Sequence, residues 1–84
     1  MTRNNLKKAR ENAGISQREL GDYLNIATIT VRSIENGKRD PSTKLAVKYA
    51  NFFHRALDEL FPDIFLLKFD TKRIKQTNIK EKVN

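Results

Sequence analysis

Thr28, Ile29, Thr30, Arg32 and Ser33 bring hydroxyls, apolar surface and a guanidinium within six consecutive positions. These short to medium side chains suit non-covalent recognition in a DNA major groove, where base edges are read by hydrogen bonds and apolar contact. Arg32 is the leading candidate for a base-specific contact, and a bidentate bond to guanine discriminates by about 1–3 kcal/mol. A phosphate contact or plain solvation are its alternatives. Lys44 stands in the first turn of a predicted helix, where the macrodipole disfavours a cation. A phosphate partner would account for it, and so would solvation. Covalent chemistry has little to work with. Asp58 and Glu59 complement a helix dipole, and a catalytic carboxylate pair would need a pocket that so small a domain seldom builds. His54 is expected in an exposed loop. Tyr49, Phe52 and Phe53 read as core rather than as a base-stacking platform. No catalytic residue and no enzyme activity are expected.

The recognition residues need helices to hold them. Leu6, Ala9 and Ala13 recur at helical spacing and predict a first helix from about Arg3 to Ala13, with Gly14 as a left-handed cap. Ser16-Gln17-Arg18-Glu19 fits a capping box at the start of a second helix striped by Leu20 and Leu24. Gly21 within it implies a backbone too close for a larger side chain. Asn25 tolerates positive φ and makes the corner. A third helix is predicted over Thr28 to Asn36, with Ile26, Val31 and Ile34 inward and Gly37 past its end. The β-branched run Thr28-Ile29-Thr30 argues weakly for a strand, but the spacing of Val31 and Ile34 decides for helix. Ser42 caps a fourth helix carrying Leu45, Ala46, Tyr49, Ala50, Phe52 and Phe53. A break near His54 and Arg55 precedes a short fifth helix, Leu57 to Phe61, which Pro62 ends. Gln17 to Asn36 is thus a helix-turn-helix.

The 84 residues allow one small domain with a tail. Seventeen Lys and Arg against ten Asp and Glu give a net charge of +7, which points to a polyanion, most simply nucleic acid. The absence of Cys excludes disulfides, thiol catalysis and cysteine-ligated zinc, and a single His excludes a His-rich metal site. The longest purely apolar run, Ile64 to Leu67, falls far short of the ~18 residues of a spanning helix. No apolar core follows Met1, so no signal peptide is read there and a cytoplasmic protein is expected. Lys7, Lys8 and Lys48 read as solubilising surface.

The blocks Leu6-Lys7-Lys8-Ala9-Arg10, Ile15-Ser16-Gln17-Arg18-Glu19-Leu20, Ile34-Glu35-Asn36-Gly37-Lys38, Pro41-Ser42 and Leu57-Asp58-Glu59-Leu60-Phe61 occur in that order. With them the stretch from Leu6 to Phe61 resembles the XRE family of Cro- and phage-repressor-like helix-turn-helix DNA-binding proteins. The resemblance implies that Gln17 contacts the DNA backbone and supports the recognition helix. It implies base reading by Thr28, Ile29, Arg32 and Ser33, and phosphate contacts by Asn36, Lys38 and Arg39. It also implies an ion pair between Arg10 and Glu35 that ties the first helix to the third. Several positions depart from the family pattern. Ala27 stands where the family has a Ser or Thr cap, a loss of about 1 kcal/mol unless Thr28 caps one residue later. Asn25 replaces the usual Gly. Ile29 would read thymine methyls by contact. His54-Arg55-Ala56 replace the usual residues before the fifth helix, which leaves open a nearly continuous fourth and fifth helix.

Residues 62–84 form a C-terminal extension. Ile64 to Phe69 is an apolar run between turn signals and reads as a strand, with Lys72 to Lys75 pairing back as a hairpin. The alternative is a further helix with Phe65 and Phe69 one turn apart. Either gives an apolar patch, with Leu57, Phe61, Phe65, Leu67 and Phe69 as candidate dimerisation residues, unless it only covers this domain's own core. Beyond about Thr77 the composition favours disorder.

The expectation is an all-α, five-helix DNA-binding domain over residues 1–61 with a dimerising extension. Its function would be transcription regulation, as a repressor bound as a homodimer to a palindromic operator, with no cofactor and no membrane partner. Two further readings follow from the resemblance: an antitoxin, with a toxin or antirepressor as protein partner, and a controller protein of a restriction–modification system.

Overall fold

The computed structural model describes residues 1–66. Local signals set most helix ends. Helix α1, Asn4–Asn12, begins after Arg3, and Gly14 turns the chain at φ +72° beyond its end. Helix α2, Gln17–Leu24, opens on the capping box: Glu19 N–H donates to Ser16 Oγ at 3.0 Å, and Ser16 N–H donates to Glu19 Oε1 at 2.8 Å. Asn25 closes it in the left-handed region at φ 60°. Helix α3 runs Thr28–Glu35, and helix α4, Thr43–Phe53, starts at Ser42, whose Oγ accepts from Leu45 N–H. The open junction after α4 is a break: His54 takes φ 56°, and Ala56 leads into α5, Leu57–Leu60.

Helices α2 and α3 cross at Gly21. A Cβ built there would stand 2.8 Å from the Ile26 carbonyl oxygen, so only glycine lets the corner between the helices close. The core joins Leu6 and Ala9 of α1, Leu20 and Leu24 of α2, Val31 and Ile34 of α3, Ala46 and Tyr49 of α4, and Leu60 and Phe61. Tyr49 meets Phe61 edge to face, with ring centroids 5.5 Å apart. No helix of the described residues is long and apolar enough to cross a membrane.

Three expectations change. Ile64, Phe65 and Leu66 do not begin a strand. Pro62–Leu66 forms a single π-type turn, with the Phe61 carbonyl accepting from Ile64 N–H at 3.1 Å and Phe65 N–H at 3.0 Å. Pro62 therefore opens a helical turn as well as ending α5; proline suits a first turn because its missing N–H would have no partner there. Phe61, expected on a dimerising surface, is fully buried in the domain's own core. Thr28 does not replace the missing cap: α3 starts from Ala27 without a side-chain hydrogen bond. The hairpin, Leu67, Phe69, Lys72 to Lys75 and the tail beyond Thr77 lie outside the described residues.

Candidate nucleic-acid interface

Helix α3 has two faces. Val31, Ile34 and Glu35 are buried, which fixes the helix by its inner side. Ile29 and Arg32, one turn apart, are exposed on the other side, and Ile29 keeps 62% of its surface open. Thr28, Thr30 and Ser33 are half-buried along the flanks. An exposed isoleucine beside an exposed arginine is what contact with a thymine methyl and a neighbouring base edge requires.

Two amides and two cations lie at or just beyond the C-terminal end of α3, and a third cation stands in the first turn of α4. Asn36 ends α3 and is exposed. The next turn is held by Ser33, whose carbonyl accepts from Lys38 N–H at 3.0 Å and Arg39 N–H at 3.2 Å, and both side chains are exposed. Lys44 is exposed in the first turn of α4. Gln17, the first residue of α2, is half-buried, and its Nε2 donates to Glu35 Oε1 at 3.2 Å.

That carboxylate is the centre of a buried cluster. Arg10 Nε donates to Glu35 Oε2 at 2.7 Å and Arg10 Nη2 to Oε1 at 3.2 Å, while Arg10 Nη1 donates to the Ile15 carbonyl. Glu35 is 1% exposed. The cluster joins α1, the start of α2 and the end of α3, and it holds the Gln17 amide against the last turn of α3.

A second cluster has no counterpart in the residues singled out from the sequence. Arg3 is 4% exposed, over the Phe61 ring at 5.9 Å from its centroid. Its Nη1 donates to the Ile34 carbonyl at 2.7 Å and the Arg39 carbonyl at 3.0 Å. Nη2 donates to Asp40 Oδ1 at 2.5 Å and Asp63 Oδ2 at 2.8 Å, and Nε donates to Asp63 at 3.2 Å. Burial works to lower the Arg3 pKa, but the hydrogen bonds and charges of Asp63 and Asp40 outweigh it, and the pKa is raised. No periodicity or spacing connects these residues. Lys48, expected as plain surface, donates to the Leu24 carbonyl at 3.1 Å and so satisfies the end of α2. Leu57 and Phe65 are half-buried and pack on the core of their own domain.

A helix-turn-helix family model matches residues 6–60. An uncharacterised HTH-type transcriptional regulator of Methanocaldococcus jannaschii is 39% identical over 59 residues, covering 70% of this chain and 89% of the relative. YgzD of Bacillus subtilis, also an uncharacterised HTH-type transcriptional regulator, is 34% identical over 59 residues, with 70% and 89% covered. The HTH-type transcriptional regulator ImmR of Bacillus subtilis is 36% identical over 55 residues, 66% of this chain but only 43% of ImmR. With its corner at Gly21 and Asn25 and an exposed face on α3, this chain belongs to the XRE-type helix-turn-helix family of DNA-binding transcription regulators.

Proposed function

We propose that the protein is a cytoplasmic repressor that binds a palindromic operator as a homodimer, with α3 in the major groove. The observation that carries the reading is the exposed pair Ile29 and Arg32 on a helix whose other side is locked into the core. In this reading Arg32 bonds a guanine, Ile29 meets a thymine methyl, and Thr28, Thr30 and Ser33 complete the contact. Gln17, Asn36, Lys38, Arg39 and Lys44 hold the flanking phosphates. A twofold dimer sets two such helices about 34 Å apart, one turn of DNA. Leu57 and Phe65, half-buried at the surface, supply part of the dimer contact, and repression follows from covering a promoter.

Selection of duplexes from a random pool tests this. Enrichment of a palindrome with half-sites about one helical turn apart is the expected result. The Arg32→Ala protein should lose about 1–3 kcal/mol of preference at one base pair per half-site. Salt-sensitive binding without enrichment of any sequence would show that α3 does not read bases.

A further inference from the structure

The guanidinium of Arg3 uses its full set of five N–H donors. Nη1 spans two carbonyls, Ile34 in the last turn of α3 and Arg39 in the loop beyond it. Nη2 spans two carboxylates, Asp40 at the end of that loop and Asp63 in the turn after α5, and Nε adds a further bond to Asp63. The Arg3 backbone N–H also donates to the Glu35 carbonyl at 2.7 Å. Met1 lies across Gly37, where an added Cβ would meet the Met1 carbonyl oxygen, so the N-terminal residues lie close over the loop. One buried side chain therefore closes the segment from Ile34 to Asp40 upon itself and fastens it to the first turn of the C-terminal extension.

We propose that Arg3 is a positioning residue for DNA binding: its fork fixes the Gly37–Asp40 loop that presents Lys38 and Arg39 to phosphates, and Asp63 holds that fork in place. The proposal rests on the DNA-binding reading above. Arg3 touches no DNA in it and acts through the loop. Its planar fork matters more than its charge, because a point-charge ammonium with three donors cannot span two carbonyls and two carboxylates together.

The test uses the full chain and its Arg3→Met, Arg3→Lys and Asp63→Asn variants, with mixed-sequence duplex DNA, since phosphate contacts do not depend on an operator. Binding is measured across a salt series, and amide hydrogen exchange is measured on the unbound proteins. Arg3→Met should bind more weakly, with a salt slope flatter by about 0.9 for each phosphate that the loop no longer neutralises. Arg3→Lys should behave the same way, and Asp63→Asn should fall between it and the parent. In the unbound variants the Lys38 and Arg39 amides should exchange faster relative to those of Val31 and Ile34. A purely structural arginine would speed all four amides together and leave the salt slope of the folded protein unchanged, and that result overturns the proposal. Parent-like behaviour of Arg3→Lys overturns the role of the fork. If the parent itself shows no salt-sensitive binding, the DNA-binding reading fails, and the exchange ratio alone decides whether Arg3 positions the loop.

Discussion

Arg3 precedes α1 and Arg10 lies in its last turn, and both tie it to the end of α3, yet they rest on different kinds of partner. Arg10 meets one carboxylate, Glu35, whose side chain is only 2% exposed. Arg3 is further withdrawn from water than Arg10, its side chain 2% exposed against 11%, but its carboxylates lie outward: the Asp40 side chain is 72% exposed and that of Asp63 26% exposed. In the first cluster Glu35 cannot return to water when Arg10 is removed, and Arg10, with 11% of its side chain exposed, regains little when Glu35 is removed. In the second, the carboxylates can return to water. The exposure of the partner therefore decides what each arginine is worth.

Glu35→Ala should have the largest effect. It strands the Arg10 guanidinium and frees Gln17 Nε2, and breaking a buried pair from one side costs about 3–5 kcal/mol. That is a large share of a small domain's stability, and denaturant unfolding would measure it. Arg3→Met should cost less, about 1–3 kcal/mol, because it leaves two carbonyls short of a donor while Asp40 and Asp63 are rehydrated. Equal losses from the two substitutions would break the distinction between inward and outward carboxylates.

The two clusters also differ in how far the sequence revealed them. Arg10 and Glu35 were legible through the resemblance, because both stand in blocks that match the family pattern. The helix ends were legible from local chemistry: Ser16 with Glu19, Asn25 at the corner and Ser42 before α4 each act within about four residues. Arg3 and Asp63 are 60 positions apart, and nothing in either neighbourhood names the other. Phe61 was misplaced for a related reason: an aromatic residue before a proline looks the same whether it faces its own core or a second chain. The apolar run from Ile64 had a strand's composition, and the Phe61 carbonyl overrode it by continuing a helical pitch through Pro62. Among the recognition residues, residue type indicated groove chemistry, but only the burial of Val31, Ile34 and Glu35 shows which side of α3 is free.

Both clusters brace the last turn of α3, and neither reaches its first. Its cap position, Ala27, makes no side-chain hydrogen bond, whereas α2 begins on a complete box. Ala27→Ser should therefore stabilise the fold by about 1 kcal/mol, read as a raised denaturation midpoint with an unchanged denaturant slope. No gain would mean that the start of α3 is already held by its packing, as firmly as its end.

Tyr49 gives the finest test, because it feels both clusters. It is fully buried, and its hydroxyl has no hydrogen-bond partner among the described residues. Burial raises its pKa above the ordinary 10.0, the Glu35 carboxylate raises it further, and Arg3 opposes them. Near neutral pH, Tyr49→Phe removes a polar group that the core leaves unpaired, so stability should stay level or rise by up to about 1 kcal/mol. Above about pH 10 the two proteins should diverge. There the unfolded tyrosine releases its proton while the folded one keeps it, so the folded state binds more protons and the parent loses stability as pH rises. Relative to Tyr49→Phe, that loss can reach about 1.4 kcal/mol per pH unit. Arg3→Met removes the charge that opposes the shift, so it should hold the phenol neutral to a still higher pH and extend the divergence upward. A divergence that Arg3→Met leaves unchanged would mean that Tyr49 answers to Glu35 and burial alone, and that the influence of Arg3 ends at the loop it grips.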